Sequence, residues 1–363
     1  MEIQYSFFNS PNFCRIKKEG FMVNKKLKFI DLFCGIGGFR TALNSLGCEC
    51  VFSSDWDIEA QKIYQANFGE LPVGDITKVK AKTVPSHNII CAGFPCQSFS
   101  ISGKRLGFAD TRGTLFYDVA RIAEHHQPEY LFLENVRNLE THDQGKTLAT
   151  VLSVLDKVNY NVSHRVVNAS DFGVPQARRR VYFIGIRKDL PQNSFVIPEF
   201  SNNKMKCIKN IALPDSETKH LILKRSDICV NKELVNLIKT PIAYPVRVGY
   251  VNKGGQGERI YHELGHAITL SAYGGGAGAK TGLYLINGKV RKLHPRECAR
   301  VMSFPEKFKI HPNPNQAYKQ FGNSVVVGVV RSIFEKLLQE QTCLPTKKIC
   351  GTAVKKKGFS VVS

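Results

Sequence analysis

Residues 27–40 read LKFIDLFCGIGGFR, an apolar run followed at once by three closely spaced glycines. The apolar run predicts a buried β-strand, and Gly35, Gly37 and Gly38 would let the following turn pass close to a bound molecule before a helix begins. A dinucleotide-binding fingerprint needs a third glycine three residues after the second, where this chain has Arg40, so a pyrophosphate site is disfavoured. A turn that serves only strand-to-helix packing is the alternative.

The same pattern of strand and helix repeats along residues 27–186. Short apolar runs alternate with stretches of helical periodicity, as in βαβ units. Because the runs are apolar throughout, we predict an α/β fold with a doubly wound, mostly parallel sheet that helices cover on both faces. Ligands bind such sheets at the carboxyl ends of the strands. The expected strands are LKFIDLF, ECVFSSD, HNIICAGF, YLFLEN and VYFIGI.

Beyond about residue 190 this rhythm stops, and the chain is rich in Pro, Gly, Asn and Lys up to about residue 290. The glycine-dense stretches 251–261 and 271–282 cannot form helix interiors and predict loops, so we expect a second, smaller and irregular domain here. Helical pattern returns with PRECARVM from Pro295 and with a longer amphipathic helix from about Gln316 to Leu338.

Composition narrows the class of protein. The 363 residues, 43% of them hydrophobic, suit a globular chain of two domains. Lys and Arg outnumber Asp and Glu by 51 to 30, and this excess favours nucleic acid as the partner, although lysines near both ends contribute to it. Eleven cysteines without a regular framework and without a CxxC pair indicate a reducing, cytoplasmic setting and no metal site. No run approaches the roughly 18 apolar residues of a membrane span, so we expect no membrane partner.

Acidic and aromatic side chains follow the second predicted strand. Asp55 at its end could bind the two hydroxyls of a ribose, and Trp56, the only tryptophan, could stack on adenine. Asp75 in GDIT could accept a hydrogen bond from an adenine amino group. Together these residues predict a nucleoside pocket without phosphates. The alternatives are that Trp56 is a core residue and that Asp75 is a helix cap.

A cysteine follows the third predicted strand in the stretch CAGFPCQSFSISG, residues 91–103. Cys96 lies behind a proline among polar and glycine residues, a setting that implies exposure and suits a reactive thiol. Taken alone, the segment fits an ordinary loop cysteine better, and the neighbouring motifs make the difference. The strand YLFLEN would bring Glu134 to the same edge of the sheet. In QARRR, strand alternation should send Arg178 and Arg180 to one side and Arg179 to the other. Such a basic cluster is either a solvated face or a clamp for an anion or a polar base.

Eight motifs occur in order along residues 27–335: FIDLFCGIGGF, DWD, GDIT, GFPCQSFS, ENV, QARRR, RKLHPRECARVMSFP and QFGNSVV. In this order they resemble the cytosine-C5 DNA methyltransferase family. The resemblance implies the S-adenosylmethionine-dependent methyltransferase fold, S-adenosylmethionine as cofactor with S-adenosylhomocysteine as product, no metal, and double-stranded DNA as substrate.

We expect the chain to divide into five segments, and the resemblance implies which residues line the cofactor site. The expected segments are a flexible N-terminal extension (1–21), a catalytic and cofactor-binding domain (22–195), a target-recognition domain with its hinge (196–311), a C-terminal helix completing the catalytic domain (312–340) and a basic tail (341–363). The implied cofactor site consists of Phe33, Gly35, Ile36, Gly38, Asp55, Trp56, Asp75, Ile76, Pro95, Leu115, Asn323 and Ser324.

The chemistry assigns roles to three residues. Carbon 5 of cytosine is too weak a nucleophile to take a methyl group, so a thiolate must first add at carbon 6. By resemblance Cys96 is that thiolate. Glu134 would be protonated, or share a proton, to hold cytosine N3, and Arg178 would support the ring oxygen and the acid.

The target atom lies inside a duplex, so the cytosine must be flipped out. By resemblance Gln256 and Ser102 would fill the vacated space and Arg259 would read a guanine, while Arg112 and Arg180 would hold phosphates. The implied DNA-contacting set is Ser100, Ser102, Arg112, Arg180, Gln256, Arg259, Thr269 and Tyr273. Resemblance within the small domain implies the site GCGC, with the inner cytosine methylated.

Two other functions fit part of the pattern. An RNA cytosine methyltransferase would share the motifs up to Arg180, but a recognition domain of about a hundred residues would be superfluous there. A non-catalytic DNA-binding protein is disfavoured because every catalytic position is intact. A dehydrogenase is more distant and would bind NAD instead of S-adenosylmethionine. We expect a monomer, with a cognate restriction endonuclease as a possible functional partner.

Overall fold

The computed structural model describes residues 26–95, 115–191, 194–199 and 206–342. The predicted site residues Cys96, Ser100, Ser102 and Arg112 lie outside this part of the chain, as do the predicted extension 1–21 and almost all of the predicted tail 341–363.

A six-stranded sheet forms the larger part of the molecule. Its order is β2-β1-β3-β4-β6-β5, in which β1 to β4 are parallel and β6 runs antiparallel to both of its neighbours. The predicted mostly parallel sheet is therefore confirmed. The strands are β1 (Lys28–Leu32), β2 (Glu49–Ser54), β3 (Ile89–Gly93), β4 (Tyr130–Val136), β5 (Tyr160–Asn168) and β6 (Arg179–Arg187).

The strand β5 is one that the sequence analysis missed. It lies at the edge of the sheet and most of its side chains are only partly buried. An edge strand with one half-covered face needs no continuous apolar run, so the pattern that revealed the other strands is absent from it.

Helices cover both faces of this sheet, as predicted. On one face α1, α2 and α9 pack in a cluster that contains Phe29 and Phe132 of the strands, and on the other α3 and α4 pack around Ile30 and Leu131. Successive strand residues thus point into two different cores, which is why the strands are apolar throughout. The helices are α1 (Gly38–Asn44), α2 (Ile58–Phe68), α3 (Phe116–His126), α4 (Lys146–Lys157) and α9 (Val327–Thr342).

A second sheet of five strands lies in the irregular region. It follows the order β11-β10-β9-β8-β7, with β9 and β10 parallel and the other pairs antiparallel. It has a small core of its own around Val248, Ile260 and Leu283. Its strands are β7 (Cys229–Val230), β8 (Arg247–Tyr250), β9 (Arg259–His262), β10 (Leu283–Ile286) and β11 (Lys289–Arg291), with short helices α5 (Asp215–Thr218) and α6 (Lys232–Leu237) nearby.

The C-terminal region holds α7 (Pro295–Val301), α8 (Pro314–Asn323) and α9. The prediction of one continuous helix from Gln316 to Leu338 is wrong, because Ser324 takes an extended conformation between α8 and α9. The buried guanidinium of Arg178, just before β6, donates to the carbonyl oxygens of Gly322 and Ser324 and so satisfies acceptors at the end of α8. Within the described residues, no helix combines the length and the apolar content that a membrane crossing requires.

Candidate active site

A cavity of about 440 Å³ opens at the carboxyl ends of the parallel strands of the large sheet. The ligand site predicted from the sequence lies at this edge. All twelve residues of the predicted cofactor site line the cavity, and Glu134, Arg178, Arg180 and Tyr273 line it as well. The residues expected to bind a nucleoside and those expected to act on a base therefore line the same cavity.

The glycine-rich turn after β1 forms one wall of this cavity. Gly35 has a φ of +53°, and a Cβ built there would meet no atom within 4 Å. A Cβ at Gly38 would lie 2.7 Å from Cγ2 of Val325, because the start of α1 packs directly against the break between α8 and α9. The turn therefore needs glycine for its backbone conformation at one position and for a close approach at the other.

Asp55 and Trp56 follow β2 on the adjoining wall. The Asp55 carboxylate accepts the backbone N–H of Gly35 at 2.7 Å and that of Asp57 at 2.8 Å, and burial raises its pKa. Trp56 is 69% exposed and lines the cavity, so the alternative that it is a core residue is wrong. The acid is thus fixed by two main-chain donors while the indole is free to meet a ligand.

Asp75 caps a helical turn and also lines the cavity. Its Oδ1 accepts the backbone N–H of Thr77 at 3.0 Å and the Thr77 hydroxyl at 2.8 Å, so the alternative that it caps a helical turn is confirmed. It also lines the cavity together with Ile76. The hydrogen bond to an adenine amino group stays a prediction.

Glu134 lies at the end of β4 and is 9% exposed. Burial raises the pKa of its carboxyl, and the nearby cations Arg180 and Arg178 oppose that rise. The neighbouring Asn135 donates its side-chain N–H to the carbonyl oxygen of Phe94 at 2.8 Å. This bond joins the end of β4 to the segment after β3, whose last described residue, Pro95, immediately precedes Cys96 in the sequence.

The contacts of the arginines in QARRR differ in part from the sequence prediction. Alternation is confirmed, since Arg178 and Arg180 both line the cavity whereas Arg179 is exposed outside it. However, Arg180 is the one that pairs with the acid, with its Nε 3.2 Å from Oε1 of Glu134. The antiparallel register sets Arg180 opposite Val136, two residues beyond Glu134 and on the same face of the sheet.

Arg178 instead forms hydrogen bonds with main-chain carbonyl groups. Its guanidinium donates to three carbonyl oxygens, those of Leu270, Gly322 and Ser324, at 2.9 to 3.0 Å. Its Nε has no hydrogen-bond partner within the described residues although it is buried. Arg178 therefore ties Leu270 and the α8–α9 break to the start of β6, and among the described residues it has no hydrogen bond or ion pair with Glu134.

The predicted DNA-contacting residues of the small domain lie in different places. Tyr273 is 77% exposed and lines the cavity. Gln256 and Arg259 are exposed at the start of β9 and lie outside the cavity lining. Thr269 is half buried, and its hydroxyl donates to the carbonyl oxygen of Ala177 at 2.6 Å. Thr269 thus joins the small domain to the segment that carries the arginines.

Lys319 is a cavity residue that the sequence analysis did not single out. Its Nζ lies 2.8 Å from Oδ2 of Asp57, the residue that caps α2. Its place just before QFGNSVV in α8 was the available signal, because the predicted cofactor residue Asn323 follows one helical turn later. Within the described part of the chain, no group of three or more His, Cys, Asp or Glu side chains is placed to hold a metal ion.

Similarity to known proteins agrees with this geometry. The family described as C-5 cytosine-specific DNA methylase matches residues 27–339. The Type II methyltransferase M.HhaI of Haemophilus parahaemolyticus is 55% identical over 308 residues, which cover 85% of this chain and 93% of that protein. The Type II methyltransferase M.HpaII of Haemophilus parainfluenzae is 40% identical, with 93% and 94% covered.

Solved structures support the fold independently. The Dnmt2 methyltransferase of S. pombe superposes with a TM-score of 0.64 at 22% identity, covering 88% of this chain and all of that one. The family match spans both sheets and every cavity wall described above. The chain therefore belongs to the C-5 cytosine-specific DNA methylase family and is a DNA (cytosine-5) methyltransferase.

Proposed function

We propose that this enzyme methylates the inner cytosine of GCGC in duplex DNA, using S-adenosylmethionine and a covalent bond between Cys96 and the flipped base. The observation that carries the proposal is the shared cavity, in which Asp55 and Trp56 face the same hollow as Glu134 and Arg180. Pro95 also lines it and is bonded to Cys96. A cofactor and a base bound there would be neighbours.

The cavity suits S-adenosylmethionine better than a dinucleotide. Gly35 leaves open space beside the carboxylate of Asp55, and the exposed indole of Trp56 offers a stacking face. Arg40, at the position of the missing third glycine, turns its guanidinium to Tyr64 and Glu70, at 3.1 and 2.7 Å. That wall therefore presents no cation to a pyrophosphate. When bound, the cofactor supplies an electrophilic methyl group.

The chain's own residues carry the remaining chemistry. The Cys96 thiolate forms a bond to carbon 6 of cytosine, and electron density moves to carbon 5, which takes the methyl group. Glu134 holds cytosine N3 through a proton as negative charge develops on the ring, and burial favours that protonated state. A base such as water then removes the proton of carbon 5, and the carbon–sulfur bond breaks to return the thiolate.

Arg180 takes the role that the sequence analysis gave to Arg178. Its guanidinium lies beside the acid, and we propose that it also supports the carbonyl oxygen of a bound cytosine. We propose that Arg178 acts on the reaction only by holding the carbonyl groups of the α8–α9 break and of Leu270. A phosphate contact by Arg180 would compete with its bond to Glu134.

The small domain is the proposed reader of the DNA sequence. Tyr273 brings it to the cavity mouth, and Gln256 and Arg259 are exposed beyond it. Gln256 and Ser102 are proposed to fill the space left by the flipped base, and Arg259 to contact a guanine. The relatives named as Type II methyltransferases support a role in protecting host DNA from a restriction endonuclease that cuts the same site.

Methyl transfer from labelled S-adenosylmethionine tests the proposal directly. We expect incorporation into a duplex that contains GCGC, at the inner cytosine by bisulfite sequencing, and none into the same duplex without that site or into tRNA. Cys96→Ala should abolish transfer, whereas Cys229→Ala, which removes an exposed cysteine of the small sheet, should not. Incorporation by the Cys96→Ala protein would refute the covalent mechanism.

The biological role has its own test. DNA from cells that express the enzyme should resist a nuclease that cuts unmethylated GCGC, and DNA from cells that express the Cys96→Ala protein should be cut. If both DNAs were cut, the enzyme would not protect GCGC, and the proposed site would be wrong. The proposed chemistry would be judged by the labelling experiment, which measures methyl transfer independently.

A further inference from the structure

Two loops of the small domain approach each other closely through their main chains. Loop one is residues 251–259 and loop two is residues 271–280. A Cβ built on Gly257 would lie 2.0 Å from the carbonyl oxygen of Gly275, far closer than any side chain tolerates. The Gly257 carbonyl oxygen in turn accepts the N–H of Gly278 at 2.7 Å. We call these two segments the recognition-loop pair.

Each loop is also closed upon itself. In loop one the Glu258 carboxylate accepts the N–H of Gly255 at 2.8 Å and the side-chain N–H of Asn252 at 2.7 Å. In loop two the N–H of Ser271 donates to the carbonyl oxygen of Lys280 at 2.9 Å. These internal bonds hold the shape of each loop, so a displacement at the contact moves the loop as a unit together with its exposed side chains.

Loop two continues this packing to the cavity. A Cβ on Gly322, at the end of α8, would lie 2.2 Å from the backbone nitrogen of Ala272. Gly322 lines the cavity, as does Tyr273 in loop two. An unbroken series of main-chain contacts thus runs from the cavity wall through loop two to loop one, where Gln256 and Arg259 flank the contact residue in the sequence.

We propose that Gly257 is a positioning residue for base recognition, because its contact with Gly275 fixes Gln256 and Arg259 in register with Tyr273 and the cavity. This inference rests on the proposed role of the small domain in reading DNA. A methyl group at position 257 must move the two loops apart by at least about 1.4 Å, from 2.0 Å to the 3.4 Å at which ordinary contact begins. Paired hydrogen bonds to a base edge lose their geometry over such a shift.

The chain offers a matched control in the partner loop. A Cβ on Gly275 would meet no atom within 4 Å, and neither Gly257 nor Gly275 has a positive φ. Gly257→Ala and Gly275→Ala therefore add the same methyl group to the two sides of one contact. Only the first of them forces the loops apart.

The experiment compares kcat/KM at GCGC with kcat/KM at duplexes carrying each single-base change in that site. For Gly257→Ala we expect the ratio of cognate to altered sites to fall about 10-fold, while for Gly275→Ala it stays within about twofold of the wild type. Because both rates come from one preparation, the ratio does not depend on the fraction of folded enzyme. As a control for cofactor binding, the change in Trp56 fluorescence on adding S-adenosylhomocysteine should be the same in the wild type, Gly257→Ala and Gly275→Ala.

Two results would overturn the proposal: a wild-type ratio in Gly257→Ala, or an equal fall in Gly275→Ala. Failure of the proposed GCGC specificity would show instead in the wild-type enzyme, which would then prefer another site. In that case the same ratio is measured between that preferred site and its single-base variants, so the two failures remain distinguishable.

Discussion

The two ends of the active-site region are held in different ways. At the large sheet, side chains reach the cavity from the ends of parallel strands, and their positions follow from strand register, as for Asp55 and Glu134. In the recognition-loop pair, the two main chains pack against each other at glycines, and this contact positions the exposed side chains of Gln256 and Arg259. A side-chain substitution should therefore alter chemistry at the first end and geometry at the second.

Among the described residues, the largest effect should come from Glu134→Gln. The amide keeps the size of the side chain but cannot hold and release a proton at cytosine N3, so we expect kcat to fall by about 10² to 10⁴-fold. The ratio of activities at cognate and altered sites should stay as in the wild type, because the recognition-loop pair is untouched. A changed ratio would show that the two ends are not separable in this way.

Arg178→Met should act on stability more than on chemistry. The change leaves three main-chain carbonyl groups without their buried cationic donor, at a cost of about 3 kcal/mol of the free energy of unfolding. Urea denaturation measures it, and Arg180→Met is the matched control, since the main-chain carbonyl that accepts from Arg180 belongs to the adjacent residue Arg179. Equal destabilisation by the two changes would contradict the division of roles between these arginines.

Arg180→Met should lower kcat by roughly 10 to 100-fold and shift its pH dependence. One charge-assisted contact is worth about 1.5 to 3 kcal/mol. Burial raises the pKa of Glu134 and the Arg180 cation opposes that rise. Because the protonated acid is the active form, the rate falls as pH rises through this pKa.

Removing the cation should raise the pKa of Glu134 further, so the alkaline limb of the kcat profile should move to higher pH. A profile measured with saturating DNA and cofactor decides the matter. A limb that stays in place or moves to lower pH would show that Arg180 does not act through Glu134.

The large-sheet end could be predicted residue by residue, and the reason is geometric. Parallel strands end at one edge, so the residue after each apolar run, such as Trp56 or Glu134, is placed by the run itself. Contacts that depend on pairing over long separations could not be predicted in this way. The helix break at Ser324 needs Arg178, 146 residues away, and the Arg180–Glu134 pair needs the antiparallel register of β4 and β6.

The recognition-loop pair shows a further limit. Glycine density in residues 251–261 and 271–282 predicted loops correctly, yet it contained no sign that Gly257 meets Gly275 whereas Gly275 has open space for a side chain. Both are glycines with ordinary φ values. Only the three-dimensional approach of the loops distinguishes a glycine that is required from one that is not.

Lys319→Met should give the smallest effect and the finest test of the comparison. The Lys319–Asp57 ion pair restrains the turn in which the Asp57 N–H donates to Asp55, and this turn carries Trp56. Both charged side chains are partly exposed, so the pair is worth about 1 kcal/mol or less. We therefore expect the dissociation constant for S-adenosylmethionine, followed by Trp56 fluorescence, to rise only a few-fold, with Lys319→Arg close to the wild type.

Lys319 also lines the same cavity as Tyr273 of loop two. If the two ends are held independently, Lys319→Met weakens cofactor binding and leaves the ratio of activities at cognate and altered sites unchanged. A fall in that ratio would mean that α8 transmits the state of the cofactor turn to loop two, and the side-chain end and the main-chain end would then have to be treated as one mechanical unit.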